Sequence, residues 1–219
     1  MTRRRFRLLD SGAGDGPWNM AVDEVLLRGA EERPTLRLYT WDPPALSLGY
    51  FQRIAEVPER GAVPLVRRLT GGGAILHRDE VTYAVAAPID FFGRRARESY
   101  FRVIEFVRDA LRRLGTPADF AREEGGDSFF CFERRSAFDL VAGGRKLAGS
   151  AQRRQGRRIL QHGSVAAGPY PRAVRALADA FRERFLFDLE PAPLLPEEEA
   201  AARDLAAARY SAEPWTALR

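Results

Sequence analysis

The sequence predicts a single domain of the α/β (α+β) class, with mixed, mainly antiparallel sheets flanked by helices. Three observations carry that expectation. A chain of 219 residues holds one substantial core more comfortably than two. Segments of helical and strand periodicity are interspersed without strict β-α-β alternation, which disfavours a doubly wound parallel sheet. A Gly-Gly pair joins two consecutive strand-like stretches, as a tight hairpin requires.

The elements follow in order. Pro17 suits a first helical turn, Asp15 stands ahead of it as a cap, and Trp18, Ala21, Val22, Val25, Leu26 and Gly29 fall at helical spacing. Leu36, Leu38 and Thr40 alternate with Thr35, Arg37 and Tyr39, and Ala45 to Gly49 follows a Pro43-Pro44 turn, so two strands are predicted. Val63 to Leu69 and Val81 to Ala87 read as strands flanking Gly71-Gly72-Gly73, which puts the glycines on a loop. Tyr100, Val103, Ile104, Val107, Leu111 and Leu114 define a helix that stops at Gly115 before Pro117. Phe138 to Ala142, Arg145 to Ala151 and Arg158 to Ala166 form a predicted meander, its first turn at Gly143-Gly144. Two helices finish the chain, around Arg172 to Phe185 and, after Pro196, around Glu197 to Tyr210, with acids at the positive end of the latter.

Composition narrows the function classes. Hydrophobic residues at 45% and charged residues at 30% fit a globular protein in water, and no apolar run approaches the roughly 18 residues of a membrane span. One cysteine and two histidines leave no intrachain disulfide and no usual Cys/His zinc site, so no metal is expected and a reducing cytoplasm is the predicted setting. The start, Met1 to Arg5, has no apolar signal stretch, since Leu8 and Leu9 lead straight into Asp10. A net charge of +5 is compatible with nucleic acid, an anionic surface or an acidic protein. The basic residues are more telling: 34 of the 35 are arginine, and Lys146 is the single lysine. A compact ammonium kept amid so much guanidinium points to a position where the planar, permanently charged group cannot serve.

His77 follows the triple glycine, while Cys131, Lys146 and His162 lie in the next stretch of the chain. Each has a bland reading, the cysteine as a small buried hydrophobe and the histidines as structural hydrogen-bonding groups. The run Arg67-Arg68-Leu69-Thr70-Gly71-Gly72-Gly73-Ala74 lacks the Gly-Lys-Ser/Thr of a Walker loop. Its glycines still allow a ligand close to the backbone, and Arg68 can pair with a phosphate or carboxylate. No Gly-x-Ser-x-Gly elbow exists, which disfavours a serine hydrolase. Cys131 is the better nucleophile, with Lys146 as the cation that favours its thiolate. Phe129, Phe130 and Phe132 supply apolar mass that can bury the cysteine or line a hydrocarbon pocket.

Several strings, in order along the chain, resemble the biotin/lipoyl protein ligase catalytic domain in its lipoate–protein ligase and LipM-type octanoyltransferase branches. They are Asn19-Met20-Ala21-Val22-Asp23-Glu24, Leu46-Ser47-Leu48-Gly49-Tyr50-Phe51-Gln52, Arg67 to His77, Gly144-Arg145-Lys146-Leu147-Ala148-Gly149-Ser150-Ala151-Gln152 and Leu160-Gln161-His162-Gly163-Ser164. The resemblance implies one catalytic domain over residues 1–219 without a C-terminal accessory domain. It implies that Lys146 contacts the acyl carboxyl or its activated form, and that Arg68, Gly71, Gly72, Gly73, His77, Gly149, Ser150, His162 and Gly163 bind the acyl substrate.

Two chemistries are open to that family. Lipoate ligases make an acyl-adenylate and need ATP and Mg2+. The octanoyltransferase branch carries a cysteine ahead of the lysine string, forms a thioester from octanoyl-acyl carrier protein without a cofactor, and passes the acyl group to a lysine of a lipoyl domain such as glycine cleavage H protein. Cys131-Phe132-Glu133 matches that cysteine loop, so the resemblance favours Cys131 as nucleophile, with the ligase as alternative. A basic nucleic-acid-binding module is a distant third reading that leaves the placing of Cys131, Lys146 and His162 unexplained. Neither nucleic acid nor membrane is therefore an expected partner. Two local features depart from the pattern. Arg78-Asp79-Glu80-Val81-Thr82 predicts a different turn after His77, and the hairpin tip Arg153-Arg154-Gln155-Gly156-Arg157-Arg158 is either a solvated turn or a docking patch for acidic carriers.

Overall fold

An N-terminal strand, β1 (Arg5–Gly14), leads into α1 (Gly16–Arg28) and on to β2 (Thr35–Trp41), which lies parallel to β1. The computed structural model describes residues 4–30, 32–57, 63–122, 125–126, 128–133 and 136–218. The sequence reading of Met1 to Arg3, and the outer limits of the 1–219 domain, lie outside them. β1 was not among the predicted strands: its alternation breaks where the register shifts between Asp10 and Gly12. The predicted start of α1 is matched, with the Asp15 carboxylate accepting from the Trp18 backbone N–H at 2.8 Å.

Three short strands make a separate small sheet, β3 (Ala45–Leu48), β4 (Leu65–Arg67) and β5 (Ile75–His77), in the order β4-β3-β5. Sequence periodicity missed β5, because three residues are too few to show alternation. β6 (Val81–Pro88) returns to the main sheet, followed by α2 (Ala96–Arg113) and β7 (Asp119–Phe120). The predicted meander is β8 (Leu140–Ala142), β9 (Arg145–Gln155) and β10 (Arg158–Val165). Gly143 and Gly144 both have positive φ (54° and 76°), as the two-residue turn between β8 and β9 demands. α3 (Tyr170–Phe185), β11 (Asp188–Pro191), α4 (Pro196–Leu205) with a π-helical extension over Ala206–Tyr210, and α5 (Glu213–Thr216) complete the chain.

The main sheet has eight strands in the order β11-β1-β2-β6-β10-β9-β8-β7. Only β1 pairs in parallel, with β11 and β2; the other neighbours are antiparallel. The structure thus bears out the mixed, mainly antiparallel α/β reading. Both faces of the sheet are covered. Leu36 and Leu38 of β2 join the core that contains Val103, Val107 and Phe106 of α2 and Leu177 and Phe181 of α3. Tyr39 and Trp41 of the same strand point the other way, into the core of Met20, Val22 and Leu26 from α1. Each fully buried side chain of this size contributes about 1.5–3 kcal/mol. The site lies on the α1 side, between the main sheet and the small one.

Candidate active site

Lys146 is placed by an irregularity in the meander. Leu140 pairs with Ala148 but Val141 pairs with Lys146, so β9 carries one extra residue and the strand turns at the lysine. Its side chain is 3% exposed and makes an ion pair with Asp139 at 2.8 Å. The ammonium also donates to the Cys131 carbonyl oxygen at 2.8 Å and lies 3.4 Å from Cys131 Sγ. Gly149 is small for this reason, since a Cβ there would stand 2.7 Å from Lys146 Cε.

Cys131 opens the short helical turn Cys131–Glu133, which the backbone ties to the glycine loop. Its N–H donates to the Ala74 carbonyl at 2.7 Å, and Ala74 N–H donates to the Phe129 carbonyl at 3.0 Å. Gly73 permits this approach: a Cβ would meet Cys131 N at 2.9 Å. Gln52 adds a third tie, donating to the Phe129 carbonyl at 3.0 Å. Phe129 and Phe130 pack edge to face against the small-sheet core rather than around the thiol, while the face of Phe132 lies 5.6 Å from the Lys146 ammonium.

A narrow pocket adjoins Cys131. Met20, Tyr39, Trp41 and Ile75 give it apolar walls, and Gly71, Gly72, Gly149, Ser150 and Gly163 bring backbone close. Phe129, Phe130 and Phe132 do not line it; Phe130 and Phe132 instead line a neighbouring hollow with Ala74, Ile75 and Leu76. Gly163 is required by packing, because a Cβ would fall 2.5 Å from the Gly149 carbonyl oxygen and from Ser150 Oγ. Ser150 itself shares a 2.7 Å hydrogen bond with the Tyr83 hydroxyl.

Arg68 is buried in the pocket wall, but its guanidinium is turned into the loop that carries it. It donates to Ser47 O at 2.8 Å, Ser47 Oγ at 2.7 Å, Gly71 O at 3.1 Å and Gly73 O at 2.9 Å. Burial pushes its pKa down to about 10, with Cys131 and Tyr39 opposing the shift, so it stays a cation at neutral pH. Two of these contacts are with the glycine loop and two with Ser47 of β3, so Arg68 ties the loop to the small sheet while lining the pocket.

Each histidine sits between a hydroxyl and a carboxylate. Because Arg68 already donates to Ser47 Oγ, the Ser47 hydroxyl donates to His77 Nε2 at 2.7 Å, and His77 Nδ1–H faces Glu80. His77 also stacks on Trp41 at 3.7 Å. Burial holds His77 at a pKa of about 4 despite Glu80, so it is neutral at physiological pH. His162 Nδ1 donates to Asp23 Oδ2 at 2.8 Å, and its Nε2 shares a 2.7 Å hydrogen bond with the Thr70 hydroxyl. Asp23 is fully buried and also binds Arg37 at 2.7 Å and the Tyr39 hydroxyl at 2.9 Å. Burial opposes its charge, yet His162 and Arg37 together hold its carboxyl below the usual range.

The structure therefore gathers Cys131, Arg68, Gly71, Gly72, His77, Gly149, Ser150, His162 and Gly163 around one pocket, with Gly73 and Lys146 directly behind Cys131. Sequence reasoning assigned no role to Asp139, Asp23, Glu80 or Ser47, whose importance lies in contacts with residues distant in the chain or across a turn. The basic hairpin is partly tied down, with Arg157 paired to Asp90 at 2.5 Å and Arg158 donating to the Arg28 carbonyl, while Arg153 lies over Tyr50. No helix among the described residues is long and apolar enough to cross a membrane.

A pocket that ends at a thiol with a buried ammonium behind it, on this scaffold, marks the class as a catalytic domain. The lipoyl protein ligase A/B catalytic domain family model matches residues 15–186, and the chain belongs to that family of enzymes. An octanoyltransferase LipM of Moorella thermoacetica is 45% identical over 75% of this chain and 66% of its own length. One from Kyrpidia tusciae is 42% identical over 95% of this chain and 82% of its own, and one from Geobacillus kaustophilus is 33% identical over the full length of both. Among solved structures, a lipoate-protein ligase A bound with ATP has a TM-score of 0.83 at 23% identity, covering 97% of this chain and 98% of that one. At that identity the likeness establishes the fold.

Proposed function

We propose that this protein is an octanoyltransferase of protein lipoylation. It moves an octanoyl group from octanoyl-acyl carrier protein to a lysine of a lipoyl domain, such as glycine cleavage H protein, through a thioester on Cys131. The carrying observation is the thiol of Cys131, in the wall of the pocket, 3.4 Å from the buried Lys146 ammonium. That cation favours the thiolate and, once the donor binds, polarises the thioester carbonyl. The relatives named octanoyltransferase support the same reading. No cofactor is needed, because a thioester donor arrives already activated. The setting is the cytoplasm, with neither nucleic acid nor membrane as partner.

A second reading is an ATP-dependent lipoate–protein ligase using Mg2+, an activity compatible with the shared fold. One experiment separates the two. Incubated with octanoyl-acyl carrier protein and no ATP, the enzyme is expected to gain one octanoyl group on Cys131 by intact mass, and Cys131→Ser to lose that labile adduct and most turnover. Full activity of Cys131→Ala with free lipoate and ATP would replace the transferase by the ligase.

A further inference from the structure

Asp139 stands just ahead of β8 and is buried against Lys146, the two side chains being 6% and 3% exposed. Its Oδ2 accepts from Lys146 Nζ at 2.8 Å and from the Ser136 backbone N–H at 2.7 Å, so the main chain fixes the carboxylate's direction. Lys146 thus contacts two groups able to carry negative charge, the Asp139 carboxylate and the Cys131 thiol.

The two differ in what acylation does to them. Acylation makes Cys131 a neutral thioester, which can carry no negative charge beside the ammonium. Asp139 is untouched by acylation and keeps a full charge on the lysine. A buried ammonium that loses a contacting carboxylate gives up its proton more readily. We infer that Asp139 is the standing counter-ion that keeps Lys146 protonated while Cys131 is acylated, making it a positioning residue for the second half-reaction. The inference rests on the transferase reading.

In that step the acceptor amine nitrogen attacks the thioester carbonyl carbon. The C–N bond forms, the C–S bond breaks, sulfur leaves with the electron pair as thiolate, and the nitrogen releases one proton to solvent. Negative charge grows on the carbonyl oxygen before sulfur departs, and a charged Lys146 stabilises it where a neutral amine does not. Among the described residues, other charged or titratable groups here include Arg68 of the glycine loop, which stays cationic, and Tyr100 of α2. Burial first, then Tyr83, Asp139 and Cys131, hold the Tyr100 phenol well above its ordinary range and therefore neutral. Glu133, in the Cys131 turn, is exposed and bonds the Ser128 hydroxyl.

The test follows both half-reactions of the full chain, using octanoyl-acyl carrier protein as donor and a lipoyl domain as acceptor. Asp139→Asn retains an oxygen for the Ser136 N–H and removes the charge. Acylation of Cys131 is expected to stay within about threefold of wild type, while transfer to the acceptor slows about tenfold or more, below the roughly 100-fold cost of deleting a direct donor. Acyl-enzyme should accumulate, and the variant's transfer rate should fall away at lower pH than wild type. An unchanged transfer rate and pH profile, or equal slowing of both steps with an unshifted profile, would overturn the inference. Should the Asn variant not fold, Asp139→Glu decides: its retained charge predicts slowed transfer on the wild-type pH limb, and a shifted limb counts against the inference. If wild-type enzyme forms no adduct on Cys131, the transferase reading fails and takes the inference with it. An adduct with Asp139→Asn indistinguishable from wild type sinks the inference alone.

Discussion

On the α1 side of the pocket, His162, Thr70, Asp23, Arg37 and Tyr39 are joined in one buried network, and Ser47, His77 and Glu80 form a second beside it. On the opposite side, Cys131 and Lys146 meet on a three-residue turn and a bulged strand, held by backbone bonds to Ala74 and by Asp139. The first region locks protons in place: its histidines are held between hydroxyl and carboxylate, and His77 is neutral. The second holds the Cys131 thiol against the Lys146 ammonium. A histidine beside a pocket is therefore not by itself a catalytic sign here, because satisfied hydrogen bonds on both ring nitrogens make it part of the wall.

Replacing Lys146 by Arg should break the reactive side most severely. The guanidinium keeps the charge but is too wide for a site bounded by Gly149 and Asp139. Activity is expected to fall on the order of 100- to 1,000-fold with the fold intact by circular dichroism. Near wild-type transfer would remove the argument that this lysine is retained for its shape.

The wall should respond in stability instead. Asp23→Asn leaves Arg37 buried without its carboxylate, a change that costs about 3 kcal/mol, measurable as a lowered midpoint in urea. If the midpoint stays put while turnover collapses, the contrast between wall and reactive side is wrong, and Asp23 belongs to the chemistry.

The smallest effect is a slope. His77 has a folded pKa of about 4, below the 6.5 of a free histidine, so the unfolded chain takes up its proton first. The stability this contributes is complete above pH about 6.5 and is lost as pH falls towards 4, where the folded form also protonates. His77→Gln should flatten thermal stability against pH across that window, whatever its effect at pH 7. An unchanged slope would show that His77 is not kept neutral by burial.

Much of this was legible beforehand because it is local. The Asp15 cap, the helical spacing from Trp18 to Gly29, the Gly143-Gly144 turn and the alternation in β2 each follow from a few neighbouring residues. The solitary lysine and cysteine flagged two reactive groups by their scarcity. Tertiary structure decided the rest. Phe129, Phe130 and Phe132 are apolar either way, and only the packing shows Phe129 and Phe130 against the small-sheet core and Phe130 and Phe132 lining a hollow beside the pocket at Cys131. The four contacts by which Arg68 joins the small sheet to the glycine loop were likewise invisible in the sequence. Asp139 is one acid among 30 acidic residues in the sequence. It becomes the partner of Lys146 only because the extra residue in β9 turns that lysine back across the hairpin, a displacement set by strand register and invisible to periodicity.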